Sequence, residues 1–165
     1  MINKYKEHIL VLPEDEANIQ IANGFVLHPN LNDRAIQVMP PLRGWKKVVE
    51  AFTEEYAPEM MGKYSDRMIV LLIDFDNNYE SRFSYVESHI PKDLKARVFV
   101  LGVLCEPQYL SRDIKNNFEQ IGEALAKDCS DNPNELWGHS LLKHNKAELD
   151  RMASSVKPFL FTLNK

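Results

Sequence analysis

Met68 to Asp76 reads Met-Ile-Val-Leu-Leu-Ile-Asp-Phe-Asp, and this stretch constrains the fold more than any other. Its six apolar residues, Met68 to Ile73, run without interruption and are rich in Ile, Leu and Val. An unbroken apolar run this short is the pattern of a central strand covered on both faces, and therefore of a sheet with helices on either side. The run ends in two carboxylates, Asp74 and Asp76. In an extended chain, side chains two residues apart point the same way. Two anions that close repel unless a cation lies between them, and a divalent metal with oxygen ligands is the usual solution. A plainer reading makes Asp74 the cap of the next helix and Asp76-Asn77-Asn78 a turn.

The rest of the chain alternates in the same style. His8 to Leu12 reads as a buried strand followed by Pro13-Glu14-Asp15-Glu16. In the next segment Ile19, Ala22 and Val26 recur at helical spacing, so the unit is strand, acidic turn, helix. A helix N-terminus alone accounts for one or two of these acids, because anions suit its dipole. Ala35 to Met39 is a second short strand. Pro40 to Gly44 is a loop, and Trp45 to Tyr56 a helix with Trp45, Val48, Val49 and Phe52 on one side. Arg43, Lys46 and Lys47 beside that loop are either phosphate contacts or solvated surface charges. Pro58 to Asp66 reads as irregular. Tyr79 to His89 is a helix, Pro91-Lys92-Asp93 a turn, and Arg97 to Leu104 a fourth strand that runs into Cys105-Glu106-Pro107. A helix follows from about Tyr109 to Cys129. Asp131-Asn132-Pro133-Asn134 is a break, and Glu135 to about Val156 is helical again up to Pro158. Phe159-Leu160-Phe161 is a closing strand or a docked tail.

This order predicts a three-layer α/β fold with a mostly parallel four-stranded sheet and extra C-terminal helices. The 165 residues suit one domain, 1–165, with a core over about 8–110 and a helical extension over about 111–165. The formal charge of −4 argues against a protein that coats nucleic acid electrostatically, though not against an enzyme that touches it locally. Cys105 and Cys129 form no CxxC pattern, which points to a reducing compartment. Nothing resembles a leader, and no apolar run approaches about 18 residues. The expectation is a cytoplasmic protein with no membrane contact.

In a parallel sheet, ligands gather at the carboxyl ends of the strands. Glu14 follows the first strand, Asp74 and Asp76 end the third, and Glu106 follows the fourth. All should share one sheet edge, and such a set of carboxylates is a hard-cation site by composition.

The pattern resembles the TOPRIM domain, the metal-binding module of topoisomerases, DnaG-type primases and the overcoming-lysogenization-defect nucleases. The matching residues are Glu14 in Val-Leu-Pro-Glu-Asp-Glu-Ala-Asn and Asp74 and Asp76 in Leu-Leu-Ile-Asp-Phe-Asp, and they place the chain closest to the nuclease branch. Glu106-Pro107-Gln108-Tyr109-Leu110 resembles a further acidic motif of that branch. Gly138 to His144 is similar to its lysine-bearing segment, and Gly44-Trp45-Lys46 to its glycine-rich turn. The resemblance covers about Ile9 to Leu110. It departs from the family in lacking the glycine after Glu14. The additional acid of many nucleases falls on Asn18, with Asp15 or Glu16 as stand-ins.

The resemblance implies a TOPRIM/Rossmann-like fold and a Mg²⁺- or Mn²⁺-dependent nuclease acting on nucleic acid, DNA foremost. Glu14, Asp74 and Asp76 would hold the metal, with Glu106 near a second position. Lys143 would neutralise charge on the phosphate, and His139 and His144 would carry protons. Two other readings stay open. One is a TOPRIM-like partner subunit without catalysis, meeting a protein partner or a second copy through Trp45, Trp137 or the Phe159–Phe161 tail. The other is a receiver-like signalling domain phosphorylated on Asp74, with Lys157-Pro158 as the receiver's Lys-Pro.

Overall fold

The computed structural model describes residues 2–131 and 135–161. The Asn132-Pro133-Asn134 part of the expected break lies outside the described residues, as does Met1 of the lead-in. Four strands form one all-parallel sheet in the order β2-β1-β3-β4: β1 His8–Pro13, β2 Ile36–Val38, β3 Arg67–Leu72 and β4 Val98–Leu101. The fold is the expected three-layer α/β arrangement.

Strand residues alternate between the two faces, as the period of two dictates. Leu10, Leu12, Ile69, Leu71, Val98 and Val100 enter one core. Ile9, Val11, Val70, Phe99 and Leu101 enter the other. The first core is closed by α2 (Trp45–Ala51), α3 (Ala57–Gly62) and α4 (Tyr79–Ser88). The second is closed by α1 (Glu16–Val26), α5 (Pro107–Ile114), α6 (Phe118–Asp131), α7 (Lys146–Ser155) and α8 (Lys157–Leu160). Helices α1 and α6 cross at two glycines. A Cβ on Gly24 would lie 2.0 Å from the Glu119 carbonyl oxygen, and one on Gly122 would lie 1.9 Å from that of Ile21.

Several boundaries differ from the sequence reading. Pro58 to Asp66 is not wholly irregular, because helix continues through Pro58 to Gly62. Pro58 has no N–H to give and its ring crowds the carbonyl four residues back. A π-helical turn at Phe52–Tyr56 absorbs that conflict, with the Ala57 N–H reaching the Phe52 carbonyl. The long helix from Tyr109 is two helices, α5 and α6, because Lys115 takes a left-handed conformation at φ 58°. Asn117 and Gln120 then cap each other's backbone N–H groups to restart the helix (2.8 and 2.9 Å). The segment from Glu135 is turns and a short 3₁₀ stretch, Lys143–Asn145, before α7. Pro158 opens α8 rather than ending a helix, and Phe161 docks as an antiparallel bridge to Leu31.

Among the described residues, the outer edge of β4 pairs with no strand. Side chains spaced three apart on and just before α7 occupy it instead. Glu148 accepts the Val100 N–H (2.8 Å). Asn145 accepts the Gly102 N–H (3.1 Å) and donates to the Gly102 carbonyl (3.0 Å). Arg151 donates to the Val98 carbonyl (3.2 Å). This satisfies backbone groups that would otherwise offer a template for another strand.

Between the second face of the sheet and helices α1, α6, α7 and α8 lies a cavity of about 230 Å³.

Candidate metal centre

The strand order places β1 and β3 side by side while their following connections diverge. From β1 the chain crosses through α1, on the second face, to β2 on one side. From β3 it crosses through α4, on the first face, to β4 on the other side. The carboxyl ends of β1 and β3 therefore flank the topological switch point, where open α/β sheets form their binding crevice.

Glu14 sits immediately after β1 and is fixed by its backbone. Its N–H donates to the Leu72 carbonyl (2.9 Å), and its own carbonyl accepts the Arg43 N–H (2.7 Å). Its side chain crosses to β3, where Oε1 accepts the Asp74 N–H (2.8 Å). Past β3 the chain stays paired, with the Ile73 N–H on the Leu101 carbonyl and the Phe75 N–H on that of Val103. Asp74, between them, points its carboxylate into the crevice and is only 8% exposed. Asp15 is the N-cap of α1. Its Oδ1 accepts the Asn18 N–H (3.3 Å), and the Asn18 Oδ1 accepts the Asp15 N–H (3.0 Å). Glu14, Asp15 and Asp74 each offer a carboxylate oxygen within 4.8 Å of the others.

Two neutral or cationic groups shape this cluster. Asn18 is 1% exposed, and its Nδ2 donates to the Asp74 Oδ1 (3.1 Å). Arg82, from α4, donates through Nη1 to the Asp74 carbonyl (2.6 Å). Burial pushes the Asp74 carboxyl up to about 7; the Asn18 hydrogen bond opposes this, and the negative charges of Asp15 and Glu14 add to it. Burial also raises Glu14, against the bond from the Asp74 N–H. A proton held this way is what a cation displaces. The donor set is all oxygen, which suits a hard divalent ion.

The remaining predicted residues are distributed differently. Asp76 is not beside Asp74. The chain turns left-handed at Asp76 (φ 49°) and Asn77 (φ 61°), which ends the extended geometry the same-side expectation needed. The Asp76 carboxylate is exposed and lies 3.6 Å from Arg82. Nor does Asp74 cap a helix, since α4 starts after Asn78. Glu106 precedes α5 at the same sheet edge, exposed and outside the cluster. Lys143 is exposed in the 3₁₀ stretch. His139 has both ring nitrogens engaged: Nε2 with the Asp113 carboxylate (2.6 Å), Nδ1 with the Leu141 N–H (3.0 Å). His144 donates from Nε2 to the Gly102 carbonyl (2.7 Å) and packs between Phe75 and Tyr79. Lys157 lines the cavity on the other side of the sheet.

The sequence reading assigned Arg82 no role. Its position one turn into the helix after an acidic strand end was the available signal. The sequence reading places Asn18 where many nucleases carry an additional acid; its bond to a carboxylate 56 residues away has no local sequence signature.

No protein-family model, no curated protein and no solved structure matches this chain. Among the described residues, no helix is long and apolar enough to cross a membrane.

Proposed function

We propose that the protein is a divalent-cation-dependent, TOPRIM-like nuclease that carries out phosphodiester chemistry on nucleic acid, DNA foremost. Mg²⁺ or Mn²⁺ would be held by Glu14, Asp15 and Asp74. The observation that carries this reading is the convergence of three carboxylates at the switch point between β1 and β3. When bound, such an ion supplies Lewis-acid polarisation of a phosphoryl oxygen and a coordinated water of lowered pKa.

The chain's own residues support the reading in three ways. Asn18 and Arg82 hold Asp74 by its side chain and backbone, so the carboxylate is oriented before any ligand arrives. The Glu14 side chain is tied to the Asp74 backbone, which fixes the distance across the crevice. Beside the acids lies a cationic rim. The Arg82 guanidinium lies 4.8 Å from the Trp45 ring centre, and the Lys46 ammonium lies 5.6 Å from Trp45 and 5.1 Å from Tyr85. Exposed Arg43 precedes the same helix. Cations interleaved with aromatic rings suit a phosphate backbone and its bases. Asp76 and Glu106, outside the cluster at the same edge, are left as peripheral acids, and Lys143 as a peripheral cation.

The second reading is a cation-binding partner subunit without turnover. Asn18 favours it, because an amide donor stands where a further carboxylate would complete a two-metal set.

Calorimetric titration with Mg²⁺ and Mn²⁺ of wild type and Asp74→Ala is the test. Saturable binding lost in the folded variant, together with Mn²⁺-dependent cleavage of DNA or RNA by wild type, supports the nuclease reading. Binding without cleavage of either supports the partner reading. No binding at millimolar metal removes both.

A further inference from the structure

We infer that the cavity on the second face of the sheet is a binding site for an apolar small molecule, an alkyl chain of roughly nine or ten carbons, scaling from the 150 Å³ apolar cavity that takes benzene. The inference stands apart from the cation site. It rests on the size of the cavity and the chemistry of its wall.

The cavity, about 230 Å³, is larger than that benzene-binding void. Its floor is sheet: Ile9 and Val11 of β1, Val70 of β3, Leu101 of β4. Its roof is α1, α6 and α7. The wall carries six polar side chains, Asn18, Asp128, Cys129, Asn145, Asp150 and Lys157, and four of them are bonded to the protein as follows. Asn18 bonds Asp15 and Asp74, and Asn145 bonds Gly102 and Leu142. Asp128 accepts the Leu136 and Trp137 N–H groups, and Asp150 pairs with Lys146. With these groups bonded to the protein and most of the wall apolar, a hydrocarbon loses little there and a polar molecule would forfeit much of its hydration. Ala153 and Asp150 are exposed wall residues, so the cavity has a rim open to solvent at α7. A protein interior is normally packed to crystal-like density, and the second face of the sheet departs from that here.

The indole of Trp137 lines the cavity, whereas Trp45 lies on the opposite core. In a Trp45→Phe protein, the fluorescence of Trp137 therefore reports on the cavity. The experiment titrates that full-length protein with 1-decanol below its solubility limit. The expected result is a saturable, one-to-one change in emission with micromolar affinity and a rise in melting temperature. Ala22→Leu and Val11→Leu each place extra carbon in the cavity and should weaken binding at least tenfold while still melting cooperatively; if one fails to fold, the other carries the test. A change that never saturates, or equal binding in the filled variants, overturns the inference. So does a filled variant that is more stable while wild type binds nothing, since the void would then be a packing defect. Binding that appears only after residues 162–165 are removed also overturns it, because the cavity would then belong to the chain itself.

Discussion

At Asp74 the folded chain keeps a proton that the unfolded chain gives up. Its carboxyl is raised from the ordinary 3.8 to about 7. The stabilisation this represents is complete below about pH 4 and is lost as pH rises through about 7. Without a cation, Asp74→Asn should therefore raise the melting temperature at pH 8 and flatten its fall between pH 5 and 8. Adding Mg²⁺ or Mn²⁺ should stabilise wild type but not the variant. A thermal melt series across pH, with and without metal, checks both; a variant that still gains stability from metal would remove Asp74 from the site. His8 works in the opposite sense. It is fully buried, donates from Nδ1 to the Lys6 carbonyl (2.8 Å) and accepts from the Arg67 Nε (3.0 Å) through Nε2. Burial lowers its pKa below 6.5, and the Arg67 charge lowers it further. Stability from neutral His8 is present above about pH 6.5 and is lost as pH falls toward its folded value. His8→Gln should weaken that acid-side loss in urea titrations between pH 7.5 and 5. That Glu14 and Asp74 lie at one sheet edge was legible from sequence because each follows an apolar run. The left-handed turn at Asp76 was not, since an Asp-Phe-Asp triplet reads equally well as extended chain.

Elements tell the same story in a coarser grain. Three strands announced themselves through continuous apolar runs, β2 being the short Ile36–Val38 broken by Gln37, and the alternation of strand and helix gave the parallel sheet. The expected Arg97–Leu104 run shortens to Val98–Leu101 because Arg97 closes a 3₁₀ turn begun at Lys92. The last third was opaque because its purpose lies in side chains that serve another element's backbone. Asn145, Glu148 and Arg151 resemble nothing as a linear motif, yet they seal β4, and His144 beside them bonds the same Gly102 carbonyl. Glu148→Ala should cost about 1–3 kcal/mol, the penalty of leaving the Val100 N–H buried without a partner. Chemical denaturation measures it, and a loss within about 0.5 kcal/mol would mean the bond is dispensable. The α1–α6 crossing is equally sensitive. Gly122→Ala puts a methyl group into the Ile21 carbonyl, so the helices must separate, at about 1–3 kcal/mol or more.

For the molecule as a whole, the two faces of the sheet have separate characters. One core, under α2 to α4, carries the cationic, aromatic rim beside the acids. The other, under α1, α6, α7 and α8, encloses the cavity. Asn18 is the residue common to the acid cluster and the cavity wall. The sealed flank of β4 also limits how copies of this chain can assemble. A second molecule cannot extend the sheet there without first displacing α7. The other flank is β2, three residues long, with Gln37 pointing to solvent and Pro40 and Pro41 close behind. Continuous strand-by-strand growth is thus blocked on one side by a helix and starved of length on the other. Fibres built from the intact fold are disfavoured by geometry.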